Sequence, residues 1–338
     1  MSTAIRALVL VSTVAATTGV PLAGGPAHAL RYLMGTWCDL TVFDSDDRDP
    51  RAAEAAFQEI ARLERILSNW DPASEVSGLN AAAGRGPQSV SGDLAAVVAE
   101  ANDLCLTTGG AFDLTVGSAV HAWRFDTESP SEPSRDRARQ AASRVGCNRV
   151  EARLEPPSIA LVEQTRLDLG GIGKGYAVDR ALAVLRAHGV TRAKLDFGSS
   201  SLGFIGHPDG GWPVVVADPR DRDQPLLTFR VEQAAVSSSG QRERSFVRGG
   251  RRYGHIFDPR TAAPIESPLL LVTVIAPKAS TADALSTALF VMGVDRGRAL
   301  VSRMPNVSAI FIEQRAGRAL TMTTAGRFHG PVRLWKRT

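Results

Sequence analysis

Asp283 and Thr287 stand four residues apart in a helix-patterned segment, so they share one face about one turn from each other. A carboxylate and a hydroxyl in that relation can join a backbone carbonyl as hard oxygen ligands for Mg²⁺, the usual metal in reactions at diphosphates. The pair also fits a plainer role, with Asp283 complementing the helix dipole and Thr287 lying at the surface. The glycine-dense stretch LDLGGIGKGYAVD, from Leu167 to Asp179, runs a strand pattern into a helix pattern, where backbone amides and a helix N-terminus can hold an anion. It is not a P-loop, because Lys174 is followed by Gly175, and Tyr176 takes the place of the third glycine of GxGxxG. Only four lysines stand against 35 arginines, so Lys174 departs from the chain's habit and reads as more than a solvated turn residue. In HIFDPRT, His255 ends a strand pattern at a turn. An imidazole of pKa about 6.5 can take a proton from a hydroxyl at neutral pH, although a histidine there can equally be structural.

These residues need elements to hold them. Asp49-Pro50 starts a helix with Ala56, Phe57, Ile60, Leu63 and Leu67 on one face. A second pattern runs from Leu94 to Cys105 and closes at Gly109-Gly110. Two more span about Tyr176–His188, stopping at Gly189, and Ala282–Met292, capped by Ser280 or Thr281 and stopping at Gly293. Strand patterns cover 40–43, 166–169, 193–197, 213–217, 226–231 and 269–276, and SFVRGGRRYGHIF reads as a hairpin turning at Gly249-Gly250. The segment from Asp126 to Arg139, rich in Ser, Pro and alternating charge, reads as a loop. Strands and helices do not alternate strictly, which predicts an α+β fold with antiparallel pairing rather than a doubly wound parallel sheet.

The composition is that of an ordinary globular chain, with 44% hydrophobic and 22% charged residues. A net charge of +4, with arginines dispersed among acids, lacks the footprint of a nucleic-acid binder. Cys38, Cys105 and Cys147 are too widely spaced for a CxxC motif or a thiolate zinc site, and allow at most one disulfide. Arg6, the apolar run Ala7–Ala16 and the small-x-small site Ala27-His28-Ala29 read as a signal peptide over 1–29, cleaved after Ala29. That predicts export to a periplasmic or other extracytoplasmic compartment, with 30–338 as a single domain. The apolar run falls short of the ~20 residues that cross a bilayer, so no transmembrane span is expected in the mature chain. No cysteine lies near the cleavage point to carry a lipid.

Seven ordered blocks resemble the FAD:protein FMN transferase (ApbE) family: MGTWCDLTVFD, LSNWDPASEVSGLN, TGGAFDLTVGSAVHAWRF, LDLGGIGKGYAVD, SSSGQRERSF, HIFDPRTAAPI and ADALSTALFVMG. The resemblance covers nearly all of the mature chain. It implies an α+β, T-fold-like architecture and an FAD site lined by Met34, Trp70, Ala111, Phe112, Asp113, Asp168, Lys174 and Ile256. Trp70 stands where the family has an aromatic that stacks on the cofactor. The Gly171 carbonyl, Asp283 and Thr287 would hold Mg²⁺, and His255, Asp283 and Lys174 would act in catalysis. The implied reaction moves FMN from FAD to a Ser or Thr hydroxyl of an acceptor flavoprotein in an exported or membrane redox complex, releasing AMP. The alternatives are an FAD pyrophosphatase and a non-catalytic exported FAD-binding protein. Two departures from the family pattern are Gly198-Ser199-Ser200, where two glycines and a polar residue are usual, and Ala262, where a glycine follows PRT.

Overall fold

The computed structural model describes residues 26–43, 50–241, 245–314 and 319–335. Its centre is an eight-stranded sheet, in spatial order Ala27–Leu33, Thr36–Val42, Ala193–Phe197, Ser201–Ile205, Ala235–Gly240, Leu269–Ala276, Ser308–Gln314 and Leu320–Ala325. Every neighbouring pair is antiparallel. Successive side chains point to opposite faces of such a sheet, and both faces here are apolar. Ala235, Val272, Val274 and Phe311 join the helix-covered core, while Val236, Leu271, Ile310 and Ile312 pack against Trp212, Val214, Val216, Leu227 and Phe229 on the other side. That second layer is a three-stranded antiparallel sheet of Trp212–Asp218, Asp221–Val231 and the edge strand Arg333–Leu334. The α+β expectation holds.

The helices are α1 (Pro50–Leu67), α2 (Glu75–Ala81), α3 (Gly92–Thr107), α4 (Gly117–Ala122), α5 (Arg135–Ala142), α6 (Gly173–Ala187) and α7 (Ala279–Val301). The apolar faces expected of α1 and α3 are buried, and the hairpin turns at Gly249-Gly250 as expected. The Asp49 cap lies outside the described residues. Four expectations need correction. The Asp126–Arg139 segment is not loop throughout, because the Ser134 hydroxyl accepts from the Arg137 N–H and starts α5 at Arg135. Helix α6 begins at Gly173 rather than Tyr176, which puts Lys174 in its first turn. Helix α7 begins at Ala279 rather than Ala282; Gly293 (φ 76°, ψ 176°) breaks the helix where expected, and a second helical stretch continues to Val301. Residues 166–169 form no strand, because their backbone groups bond mostly to side chains, Asn69 and Asn80 foremost. At the N-terminal end, the strand Ala27–Leu33 pairs with Thr36–Val42 from Ala27 onward, so cleavage after Ala29 would remove three of its seven paired residues.

Cys105 at the end of α3 is bonded to Cys147, and Cys38 is a free, buried thiol. Burial, with Asp196 and Asp39 nearby, pushes Cys38 up to about 12, where it is an inert packing group. Helices α1, α3 and α6 are joined by one polar network. Arg62 of α1 donates to Glu59 at 2.8 Å and to Asp93 of α3 at 2.6 Å, and the Tyr176 hydroxyl of α6 donates to Asp93 at 2.8 Å. Burial pushes the Asp93 carboxyl up, but the bonds from Arg62 and Tyr176 outweigh it and hold it below the usual carboxylate range.

A carboxylate depressed in the folded state adds stability above its unfolded pKa and loses it as pH falls. Asp93→Asn should therefore destabilise the protein at pH 7 by roughly 1–3 kcal/mol, and the gap should close below about pH 4. Melting curves across pH check this; equal melting of variant and wild type at pH 7 would contradict it.

Candidate active site

The segment 166–169 alternates buried Leu167 and Leu169 with half-exposed Arg166 and Asp168, as a strand would. Its backbone partners, however, are mostly side chains. The Leu167 N–H donates to Asn80 Oδ1 at 2.7 Å, and its carbonyl accepts from Asn69 and Asn80 at 2.7 and 3.1 Å. Leu169 N–H donates to Asn69 Oδ1, and Arg166 N–H to Ser118 Oγ. Two asparagine amides thus do what a neighbouring strand would do, and they leave the chain free to turn at Gly170 and Gly171 into α6. Asp168 Oδ1 accepts from the Gly170 N–H at 2.7 Å and tightens that turn.

Helices α6 and α7 meet at their N-termini. A Cβ on Gly175 would stand 2.2 Å from the Ala279 carbonyl oxygen, so only glycine allows this approach. Asp179 of α6 accepts from the Ala279 and Ser280 N–H groups at 2.8 and 2.9 Å and caps α7. Asp283 of α7 in turn accepts the Gly175 N–H at 3.0 Å. The other oxygen of Asp283 lies 3.0 Å from the Ser237 hydroxyl. Asp283 is 5% exposed, and what shows of it faces a cleft. A Cβ on Gly171 would lie 3.4 Å from Thr287 Oγ1 and 3.1 Å from Phe112, so the Gly171 backbone sits directly beside Thr287. Ser239 Oγ is 3.2 Å from the same hydroxyl.

Gly171, Asp283 and Thr287 therefore line one cleft, a backbone and two oxygen side chains of the hardness Mg²⁺ takes. Lys174 lines it too, in the first turn of α6 and half-buried, and makes no ion pair among the described residues. Helix α6 has no side-chain cap on Ile172, so the anion-favouring end of the helix and the ammonium share one place.

The same cleft takes in Trp70, Ala111, Phe112, Asp113, Asp168, His255 and Ile256. Trp70 is 56% exposed at the cleft. Asp113 accepts from the Thr115 N–H and hydroxyl at 2.8 and 2.6 Å, which starts a short 3₁₀ turn, and burial pushes its carboxyl up. His255 sits at a bend between the strands Arg251–Gly254 and Phe257–Asp258. Of the expected site residues only Met34 is not on the wall. It occupies a hairpin turn at φ 47° and lays its methyl group beside Gly173, one residue from Lys174. At the two departures from the family pattern the backbone is left-handed all the same, with φ 57° at Ser199 and 51° at Ala262. Asn69, Asp126, Ser238 and Ser239 also line the cleft, unforeseen in the sequence reading. Asn80 inside α2 was the one visible hint of the asparagine clamp, being a polar residue in an otherwise apolar helical stripe.

The model of the ApbE family matches residues 34–311. The FAD:protein FMN transferase of Treponema pallidum is 32% identical, across 87% of this chain and 88% of that protein. A Klebsiella pneumoniae protein of the same name is 31% identical, across 88% of this chain and 92% of its own length. Among solved structures, the ApbE protein of Thermotoga maritima matches with a TM-score of 0.78 at 31% identity, over 88% of this chain and 96% of that one. The apo form of the Pseudomonas stutzeri flavinyl transferase ApbE matches with a TM-score of 0.78 at 28% identity, over 89% and 94%.

Asn80→Ala removes the acceptor for the buried Leu167 N–H. It should lower stability by about 1–3 kcal/mol and speed hydrogen exchange at Leu167. Unchanged exchange at that amide would show that the segment is held by something other than the clamp.

Proposed function

The chain belongs to the ApbE family, and from that premise we propose that it is an FAD:protein FMN transferase working in the cleft between α6, α7 and the loop that carries His255. The observation that carries the proposal is the meeting of Lys174, Asp283 and Thr287 with the Gly171 backbone at the end of α6. A diphosphate needs such a place, with a cation, a helix N-terminus and hard oxygens within one ligand's reach. Mg²⁺ would be held by the Gly171 carbonyl, Asp283 and Thr287, and would supply charge neutralisation at the diphosphate.

In the proposed reaction a Ser or Thr hydroxyl of the acceptor attacks the flavin-side phosphorus. A new P–O bond forms as the bond to the bridging oxygen breaks, AMP leaves with that electron pair, and the hydroxyl proton passes to the His255 imidazole. Lys174 and the first amides of α6 hold the diphosphate oxygens. Trp70 stacks on a ring of FAD and fixes it in the cleft. Asp283 stays anchored by the Gly175 N–H and Ser237, so its remaining lone pairs keep one direction.

The acceptor we propose is a flavin-bearing subunit of an exported or membrane redox complex. Export accords with the Cys105–Cys147 disulfide, which persists in oxidising compartments. Among the described residues, no helix is long and apolar enough to cross a membrane.

Incubation with FAD, Mg²⁺ and an acceptor extract tests the reading: AMP release together with flavin fluorescence on denatured protein means transfer. AMP with only free FMN would make the protein a hydrolase, and neither product would make it a carrier. Asp283→Asn keeps an acceptor for the Gly175 N–H but loses the charge, so AMP formation should disappear while the fold stays intact. Turnover at the wild-type rate would remove Asp283 from the metal site. Trp70→Ala should weaken FAD binding by about 1–3 kcal/mol, with Trp70→Tyr nearly silent. Equal FAD affinity for the alanine and wild-type proteins, read by flavin fluorescence, would place the ring outside the site.

A further inference from the structure

Asp126 lies in the cleft wall, and one of its carboxylate oxygens is buried with no hydrogen-bond partner. Among the described residues it is the one buried side-chain polar atom left so. The other oxygen is 2.6 Å from His121 Nδ1, five residues back at the end of α4. The pairing fixes the carboxylate in orientation. Burial pushes the Asp126 carboxyl up, but the hydrogen bond and charge of His121, its own backbone N–H and the charge of Arg166 hold it below the usual carboxylate range. A buried, charged acceptor without a donor is costly, and folded proteins rarely leave one unless a ligand supplies the partner.

The neighbouring wall is chemically plain. Val116, Val120, Phe125 and Phe257 line the same cleft and carry no side-chain donor or acceptor. Apolar walls with one acceptor suit a flat heterocycle that offers one donor at its edge. FAD has two heterocycles. The imide edge of the isoalloxazine sets its N–H between two carbonyl oxygens, both of which a carboxylate would repel. The adenine edge offers an exocyclic amine flanked only by weaker ring-nitrogen acceptors.

We propose that Asp126 is a specificity residue for the nucleotide half of the substrate, its buried oxygen accepting a hydrogen bond from the exocyclic amine of adenine while His121 positions the carboxylate. The assignment rests on FAD being the substrate and adds the group by which its adenine is recognised. Replacing the amine by a carbonyl, as in the hypoxanthine analogue of FAD, would set two acceptors against each other.

The test measures binding of FAD and of its hypoxanthine analogue to the full chain by flavin fluorescence, and of ADP and FMN by calorimetry. Wild-type protein should prefer FAD by about tenfold or more, since a site built to receive an N–H rejects a ligand without it. Asp126→Ala should lose that preference, bind ADP more weakly and bind FMN unchanged. His121→Ala should narrow the preference without abolishing it. If Asp126→Ala does not fold, the wild-type comparison decides alone. Equal wild-type affinity for the two dinucleotides overturns the assignment, as does an Asp126→Ala variant that loses FMN affinity and keeps that for ADP. A protein that transfers flavin equally well from both dinucleotides overturns the role of Asp126 and leaves the transferase reading standing. One that binds neither overturns both.

Discussion

Two helices cap one another here, and the site depends on it. Asp179 of α6 closes the start of α7, and Asp283 of α7 accepts an N–H from the start of α6. Each carboxylate satisfies amides that its own helix could not reach. The exchange requires the two N-termini to come within backbone contact, which Gly175 alone permits, because a side chain there would meet the Ala279 carbonyl. Two positive helix ends are thereby held side by side, and Asp283 and Thr287 stand among them. Lys174 adds its charge at the same place. The polarity that favours a diphosphate follows from how the helices pack, before any ligand arrives.

The rest of the molecule keeps that meeting point in register. Strand Ala235–Gly240 delivers Ser237 to Asp283 and Ser239 to Thr287, and it is fixed by pairing with Leu269–Ala276. The asparagine clamp on Leu167 and Leu169 sets the path by which the chain enters α6. Nearby, the disulfide ties the end of α3 to Cys147, and Thr115, which bonds Asp113, also accepts from the adjoining Gly146 N–H at 2.7 Å. The wall that carries Phe112 and Asp113 is therefore anchored at both ends.

Much of this was readable in the sequence, where local periodicity carries information. Helices α1 and α3 announced themselves by spacing, and the hairpin by its paired glycines. The four-residue interval put Asp283 and Thr287 on one helix face, but only the ordered family blocks, which also supplied Trp70, Phe112 and Asp168, told them from a dipole partner and a surface hydroxyl. The failures were cases of distant partners imitating local signals. Residues 166–169 alternate like a strand, yet their bonds run to side chains at Asn69 and Asn80, 87 to 100 positions away. The start of α7 was misplaced because its cap is Asp179 on another helix, not Ser280 or Thr281. Asp126 gave no signal, since only the fold shows that one of its oxygens lacks a partner.

On this reading the meeting of α6 and α7 makes one place for a divalent cation and a diphosphate. Anomalous scattering from crystals grown with FAD and Mn²⁺ in place of Mg²⁺ would locate the cation. A single strong peak is expected, bonded to an Asp283 carboxylate oxygen and the Thr287 hydroxyl, beside the Gly171 carbonyl, with the FAD diphosphate against the first turn of α6. A Mn²⁺ peak on the diphosphate that touches neither Asp283 nor Thr287 would contradict it.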